Sequence, residues 1–141
     1  MPNIQFNYLI PVPELLHRRE LKSFLKKMAS SEKYSLISLQ VIFCNDDYLL
    51  KMNQEFLGHD YYTDIITFPL SKPGEPIEAE LYISVDRTRD NASALGVSRS
   101  RELHRVIFHG LLHLLGYKDK LKTDQDTMRV KEDFYLARYK M

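Results

Sequence analysis

Residues 108–120 read FHGLLHLLGYKDK. They close a helical pattern that Ser98 or Ser100 can cap, in which Leu103, Val106, Ile107, Phe108, Leu111, Leu112, Leu114 and Leu115 point in almost every direction around the axis. A helix apolar on all sides is one the rest of the domain surrounds, so this segment is expected at the centre of the fold. Imidazoles in such a helix need polar partners that leucines do not. His109 and His113 lie four residues apart, one turn above the other on one face, where two ring nitrogens can converge on one ion. Gly116 follows the last apolar residue, where a left-handed glycine ends a helix and turns the chain back. The bend offers Asp119 as a third ligand, giving the spacing H-x3-H-x5-D.

Outward from this helix, the segments read by apolar period and punctuation. Ile4, Phe6 and Tyr8 alternate with polar residues as a first strand. Pro13 can open a helix carrying Leu15, Leu16, Leu21, Phe24, Leu25 and Met28 to about Ser30. Ser35 to Phe43 is a strand, and Asp46 or Asp47 can cap a helix with Leu49, Leu50, Met52 and Phe56 that Gly58 closes. TDIITFP, Thr63 to Pro69, is a strand whose proline places its end at a sheet edge. Leu81 to Val85 is another, Arg87 to Leu95 a short helix, and a polar amphipathic helix runs from near Thr123 to Tyr139. The order β-α-β-α-β-β-α-α-α predicts an α+β fold: a small mixed β-sheet packed with helices around a central metal-bearing helix.

The length of 141 residues suits a single domain spanning 1–141, and 44% hydrophobic with 28% charged residues describes a globular chain. A net charge of +1 means that any polyanion must be met by a local patch. Cys44 is the one cysteine, which excludes an intramolecular disulfide and agrees with a reducing compartment. The N-terminus lacks the pattern of a signal peptide, and Val106 to Tyr117 falls short of a membrane span. A cytoplasmic location without membrane attachment is expected.

Three protein ligands leave a tetrahedral ion one exchangeable position, the arrangement of catalytic sites. The N/N/O donor set suits one Zn²⁺ first and also admits Ni²⁺, Co²⁺ or Mn²⁺. The spacing is metzincin-like, but the glutamate that serves such proteases as general base is Gly110 here, which argues against peptide hydrolysis. Buried histidines also pair with carbonyls or carboxylates, and an aspartate between Lys118 and Lys120 is by default a solvated charge. His104, five residues before His109, lies well round the helix from the pair.

HGLLHLLGYKD resembles the signature of the YbeY endoribonuclease family, H-G-x-L-H-L-x-G-Y-D-H, and TDIITFP resembles that family's T-D-V-L-S-F-P stretch. Asn53, Phe56, the AELYIS stretch where the family often has G-D-I-x-I-S, and Met128 extend the likeness over most of the chain. The resemblance implies a metal-dependent, single-strand-specific endoribonuclease acting in ribosomal RNA maturation and ribosome quality control, with RNA or a precursor ribosome as partner. It puts His109, His113 and Asp119 at the metal-ligand positions, the third being histidine in the family. The family arginine that follows the asparagine equivalent to Asn53 is Leu57 here. His59 or Arg105 is the candidate replacement for substrate contact.

By the same resemblance Thr63, Asp64 and Thr67 border the site and are candidate substrate-binding groups with His59 and Arg105. Arg99, Arg101 and Arg105, with Arg87 and Arg89 on the preceding helix, form a candidate phosphate track, and Tyr61 and Tyr62 can stack unpaired bases. No catalytic residue is designated beyond the metal ligands. Two other classes share the residues: a metal-stabilised ribosome-assembly factor without catalysis, and a metallopeptidase whose base comes from elsewhere.

Overall fold

The computed structural model describes residues 2–139. Four strands, β1 (Asn3–Tyr8), β2 (Leu36–Cys44), β3 (Ile65–Pro69) and β4 (Ile77–Ser84), form one sheet in the order β1-β2-β4-β3. β1 and β4 both run parallel to β2, while β3 runs antiparallel to β4 and forms an edge. The five helices are α1 (Arg18–Ser31), α2 (Asp46–Leu57), α3 (Val85–Leu95), α4 (Arg99–Leu114) and α5 (Lys122–Arg138). The element order is the one expected, and the fold is the α+β arrangement of a mixed sheet packed with helices.

Strand alternation divides the two faces. Leu39, Val41 and Phe43 of β2 and Ala79, Leu81 and Ile83 of β4 face the main core, where they meet Leu21, Leu25 and Met28 of α1 and the buried side of α4. Cys44 and Ile66 face the other way, with Leu49 of α2, in a smaller cluster. α4 is central as expected: Leu103, Ile107, Phe108, Leu111 and Leu112 are fully buried. Gly110 lets this helix lie directly on the sheet, since a Cβ there would stand 2.5 Å from Ile65 Cδ1 and 3.1 Å from Leu81 Cδ1.

Several boundaries differ from the sequence pattern for local reasons. α1 begins at Arg18 rather than near Pro13, because His17 takes a left-handed conformation (φ 55°) and Glu14 is drawn away to Arg89. Leu15 is buried all the same, from a turn closed by its N–H on the Val12 carbonyl. α2 is capped by Asn45, whose side chain accepts from the Tyr48 N–H, and not by Asp46 or Asp47. Asp46 instead accepts from the Ser84 hydroxyl and from Arg87. β4 starts four residues earlier than expected, at Ile77, and Val85 belongs to α3, which Ser84 caps. Ser98, not Ser100, caps α4.

Candidate metal centre and its flanking grooves

The helix-stop glycine does what its position predicts. Gly116 has φ 100°, and the N–H groups of Gly116 and Tyr117 donate to the carbonyls of His113 and Leu112, closing α4 and reversing the chain. The bend brings Asp119 back, with Oδ2 3.2 Å from His109 Nε2, while its side chain stays 40% exposed to solvent.

Each histidine is oriented by an acceptor on its other nitrogen. His109 Nδ1 donates to Glu132 Oε2 at 2.6 Å, and His113 Nδ1 donates to the Tyr117 carbonyl at 3.1 Å. A carboxylate and a carbonyl only accept, so both Nδ1 atoms carry protons and both Nε2 atoms offer lone pairs in the neutral rings. This is how metal-ligating histidines are held. His109 Nε2 and Asp119 Oδ2 are then two acceptors in contact, a mismatch that a proton or a metal cation between them resolves. Among the described residues no three His, Cys, Asp or Glu side chains close into a ready-made ligand cluster. The donor chemistry of His109, His113 and Asp119 nonetheless fits a divalent ion.

Behind His109 lies a buried network centred on Arg105. Its guanidinium donates to both oxygens of Glu102 at 2.8 and 2.6 Å and to Glu132 Oε1 at 3.1 Å, and stands 3.9 Å from Asp64 Oδ2. Asn91 Nδ2 adds a bond to Asp64 at 3.2 Å. Arg129 Nε also stands 3.6 Å from Glu132, so three carboxylates meet two guanidiniums and leave excess negative charge beside His109, which favours a cation there. Burial pushes the His109 pKa down, but the bond and charge of Glu132, with Asp64 and Asp119, outweigh it and raise it. Burial likewise pushes Glu132 up, and His109 and Arg105 overcome it, so this carboxyl is held below its ordinary range. Asp64 is raised by burial, against the opposing pull of Arg105 and His109.

His104 is apart from the site, as its spacing implies. Its Nδ1 donates to the Ser100 carbonyl at 2.6 Å, its ring stacks on Tyr139, and burial lowers its pKa.

The candidate substrate residues divide into two groups. His59, Thr63 and Thr67 line one groove of about 210 Å³ along β3, with Asn53, Leu57, Tyr61 and Ile66. Thr67 also lines a second groove, of about 580 Å³, that contains His113, Tyr34 and Lys72. Asp64 and Arg105 belong to the ionic network instead. Part of the arginine track is committed to carboxylates: Arg105 is engaged by three, Arg89 by Glu14 and Arg87 by Asp46.

The family model described as Endoribonuclease YbeY matches residues 8–140 of this chain. The chain belongs to the YbeY family. It is 51% identical over 124 residues to Endoribonuclease YbeY of Cytophaga hutchinsonii, covering 88% of this chain and 87% of that one. The corresponding protein of Porphyromonas gingivalis is 46% identical over 118 residues, covering 84% and 78%. The solution structure of TM1509 from Thermotoga maritima matches with a TM-score of 0.64 at 26% identity, covering 94% of this chain and 87% of that one.

The motifs of α4 and β3 are legible in the sequence, but the groups that orient His109 and His113 are not. Glu132 was missed. It shares one face of α5 with buried Met128, Tyr135 and Leu136, and a glutamate on an apolar face is the signal that could have found it. The Tyr117 carbonyl carries no sequence signal, because any residue supplies one.

Proposed function

We propose that this chain is a metal-dependent endoribonuclease that cuts single-stranded RNA, with ribosomal RNA or its precursor as substrate, working as a single domain in the cytoplasm. His109, His113 and Asp119 would hold the ion, with Zn²⁺ the first choice for an N/N/O donor set and Ni²⁺ an alternative. The observation that carries the reading is the paired Nδ1 anchoring of the two helix histidines, which leaves both Nε2 lone pairs for a ligand, in a chain of the YbeY family.

A bound divalent ion supplies an acidified water or a polarised phosphate oxygen. The protein's own part is positional. Glu132 and the Tyr117 carbonyl fix the tautomers of His109 and His113, and Arg105 holds Glu132 in place from behind. Thr63, Thr67 and His59 present hydroxyl and imidazole groups along the edge of β3, where an extended strand would lie. Among the described residues no helix is long and apolar enough to cross a membrane.

A metallopeptidase is disfavoured by Gly110, where any side chain meets Ile65 and Leu81. The assembly-factor reading draws support from Leu57 in the arginine position and from the commitment of Arg105 to three carboxylates. The deciding experiment is elemental analysis of purified protein followed by cleavage assays on single-stranded RNA, duplex RNA and casein. One bound metal and cleavage of single-stranded RNA alone are expected, both lost in His109→Ala. Metal-loaded protein that cuts no RNA would establish the assembly-factor reading, and full metal retention by both His109→Ala and Asp119→Ala would overturn the ligand set.

A further inference from the structure

The loop between α2 and β3 places two rings together on the surface. His59 and Tyr61 stack with centroids 5.1 Å apart and planes 19° apart, and the Tyr61 hydroxyl bonds His59 Nδ1 at 2.9 Å. Buried Asn53 fixes the loop under both. Its Nδ2 donates to the Tyr61 carbonyl at 2.9 Å, and its own carbonyl accepts from the His59 N–H at 3.0 Å. Tyr61 is nevertheless 57% exposed, so the ring pair is held in one orientation and open to solvent. The adjacent Tyr62 is engaged differently, with the Arg87 guanidinium over its ring at 5.1 Å.

We propose that the stacked His59–Tyr61 pair is a nucleobase subsite, on which one unpaired base of the RNA strand stacks next to the reacting phosphate. The inference rests on the endoribonuclease reading and assigns it a source of single-strand specificity. The groove below the pair is lined by Asn53, Leu57, Thr63, Ile65, Ile66 and Thr67, with no carboxylate or ammonium group. That lining suits a flat, uncharged heterocycle: apolar walls meet its faces and threonine hydroxyls meet its polar edge. At about 210 Å³ the groove is smaller than the roughly 300–1,000 Å³ of drug-sized pockets. It has room for one base.

Two residues of the groove lining also border the helix and the groove that carry the candidate ligands. Ile65 packs against α4 at Gly110, between His109 and His113 in sequence, and Thr67 is shared with the groove that contains His113. A base in a duplex hides both faces against its neighbours, so only an unpaired one can enter. The ring pair is preorganised by its own hydrogen bond and by Asn53, so little ordering is left to do when the base arrives.

The test is a cycle between protein and substrate. Steady-state cleavage of a single-stranded oligonucleotide by wild type, Tyr61→Ala and Tyr61→Trp is compared, with an abasic nucleotide moved one position at a time along the strand. Stacking predicts that Tyr61→Ala raises KM about tenfold with kcat within twofold, and that Tyr61→Trp restores KM. It also predicts one abasic position that raises KM equally in wild type and leaves Tyr61→Ala unchanged. Independent effects at every position, or no recovery in Tyr61→Trp, would overturn the subsite. Quenching of 2-aminopurine moved along the same strand reads the cycle without turnover: loss of quenching at one position in Tyr61→Ala supports the subsite, and equal quenching in both proteins refutes it. A wild type that binds and quenches without cutting would count against the endoribonuclease reading while leaving the subsite standing.

Discussion

Glu132, 23 residues beyond His109 in the chain and 2% exposed, accepts the Nδ1 proton of that histidine at 2.6 Å while its other oxygen accepts from Arg105 at 3.1 Å. One carboxylate thus connects α5 to the face of α4 that carries His109. Glu132→Gln keeps the shape but loses the charge, and its amide can meet Nδ1 as donor or acceptor, so the ring tautomer is no longer fixed. Metal affinity is expected to fall by about 10–100-fold, measured by competition with a chromogenic chelator. Unchanged affinity would show that Glu132 serves only the fold.

Asp119, the proposed third ligand, stands where the family signature has histidine. Asp119→His replaces a carboxylate by an imidazole at a bend that already aims the side chain at His109 Nε2. It should retain one bound metal, whereas Asp119→Ala should bind it more weakly. Removing one charged donor leaves a bidentate histidine site, for which a loss of at least tenfold is expected, roughly 1.4 kcal/mol. Equal affinity in Asp119→Ala and wild type, by the same chelator competition, would exclude the acid from the ligand set.

Gly110 tests the packing of the central helix. Replacing a helix-interior glycine by alanine normally stabilises by about 1 kcal/mol. Here the added methyl would stand 2.5 Å from Ile65 Cδ1 and within 3.1 to 3.2 Å of both Leu81 methyls, so a net loss of about 1–3 kcal/mol is expected instead. Ile65→Val deletes the nearest atom. In urea unfolding the double variant Gly110→Ala/Ile65→Val should recover most of the loss, and a strictly additive cycle would contradict the contact.

The elements legible in the sequence are those whose signals are local. The all-round apolar α4, the glycine stop at Gly116 and the β-branched run of β3 each carry their instruction within a few residues, and all three stand where the pattern puts them. The start of α1 was not legible, because it depends on a left-handed His17 and on a contact between Glu14 and Arg89, 75 residues apart. The same limit applies to the site. The i, i+4 histidines and the trailing acid can be read from spacing, but the commitment of Arg105 to Glu102, Glu132 and Asp64 depends on how α4, α5 and β3 pack. An arginine beside a metal motif looks free until its partners are seen.

The Glu14–Arg89 pair that displaces the helix start also sets a pH dependence. Arg89 Nε and Nη2 meet the two Glu14 oxygens at 2.8 and 2.9 Å, with Glu14 only 7% exposed at its side chain. The Arg89 hydrogen bond, working against burial, holds Glu14 below the ordinary glutamate value of 4.5. A carboxyl whose folded pKa lies below its unfolded one stabilises the protein fully above the unfolded value. That contribution is lost as pH falls through the lowered folded value. Glu14→Gln removes the titrating group, so the stability difference between wild type and variant should be constant above about pH 5 and shrink below it. A bidentate, charge-assisted contact of this burial stabilises by about 1.5–3 kcal/mol at neutral pH. Urea unfolding of both proteins from pH 3 to pH 7 measures the difference directly, cancelling the titration of the other carboxylates. A difference that stays flat down to pH 3 would mean that Glu14 contributes its shape and not its charge.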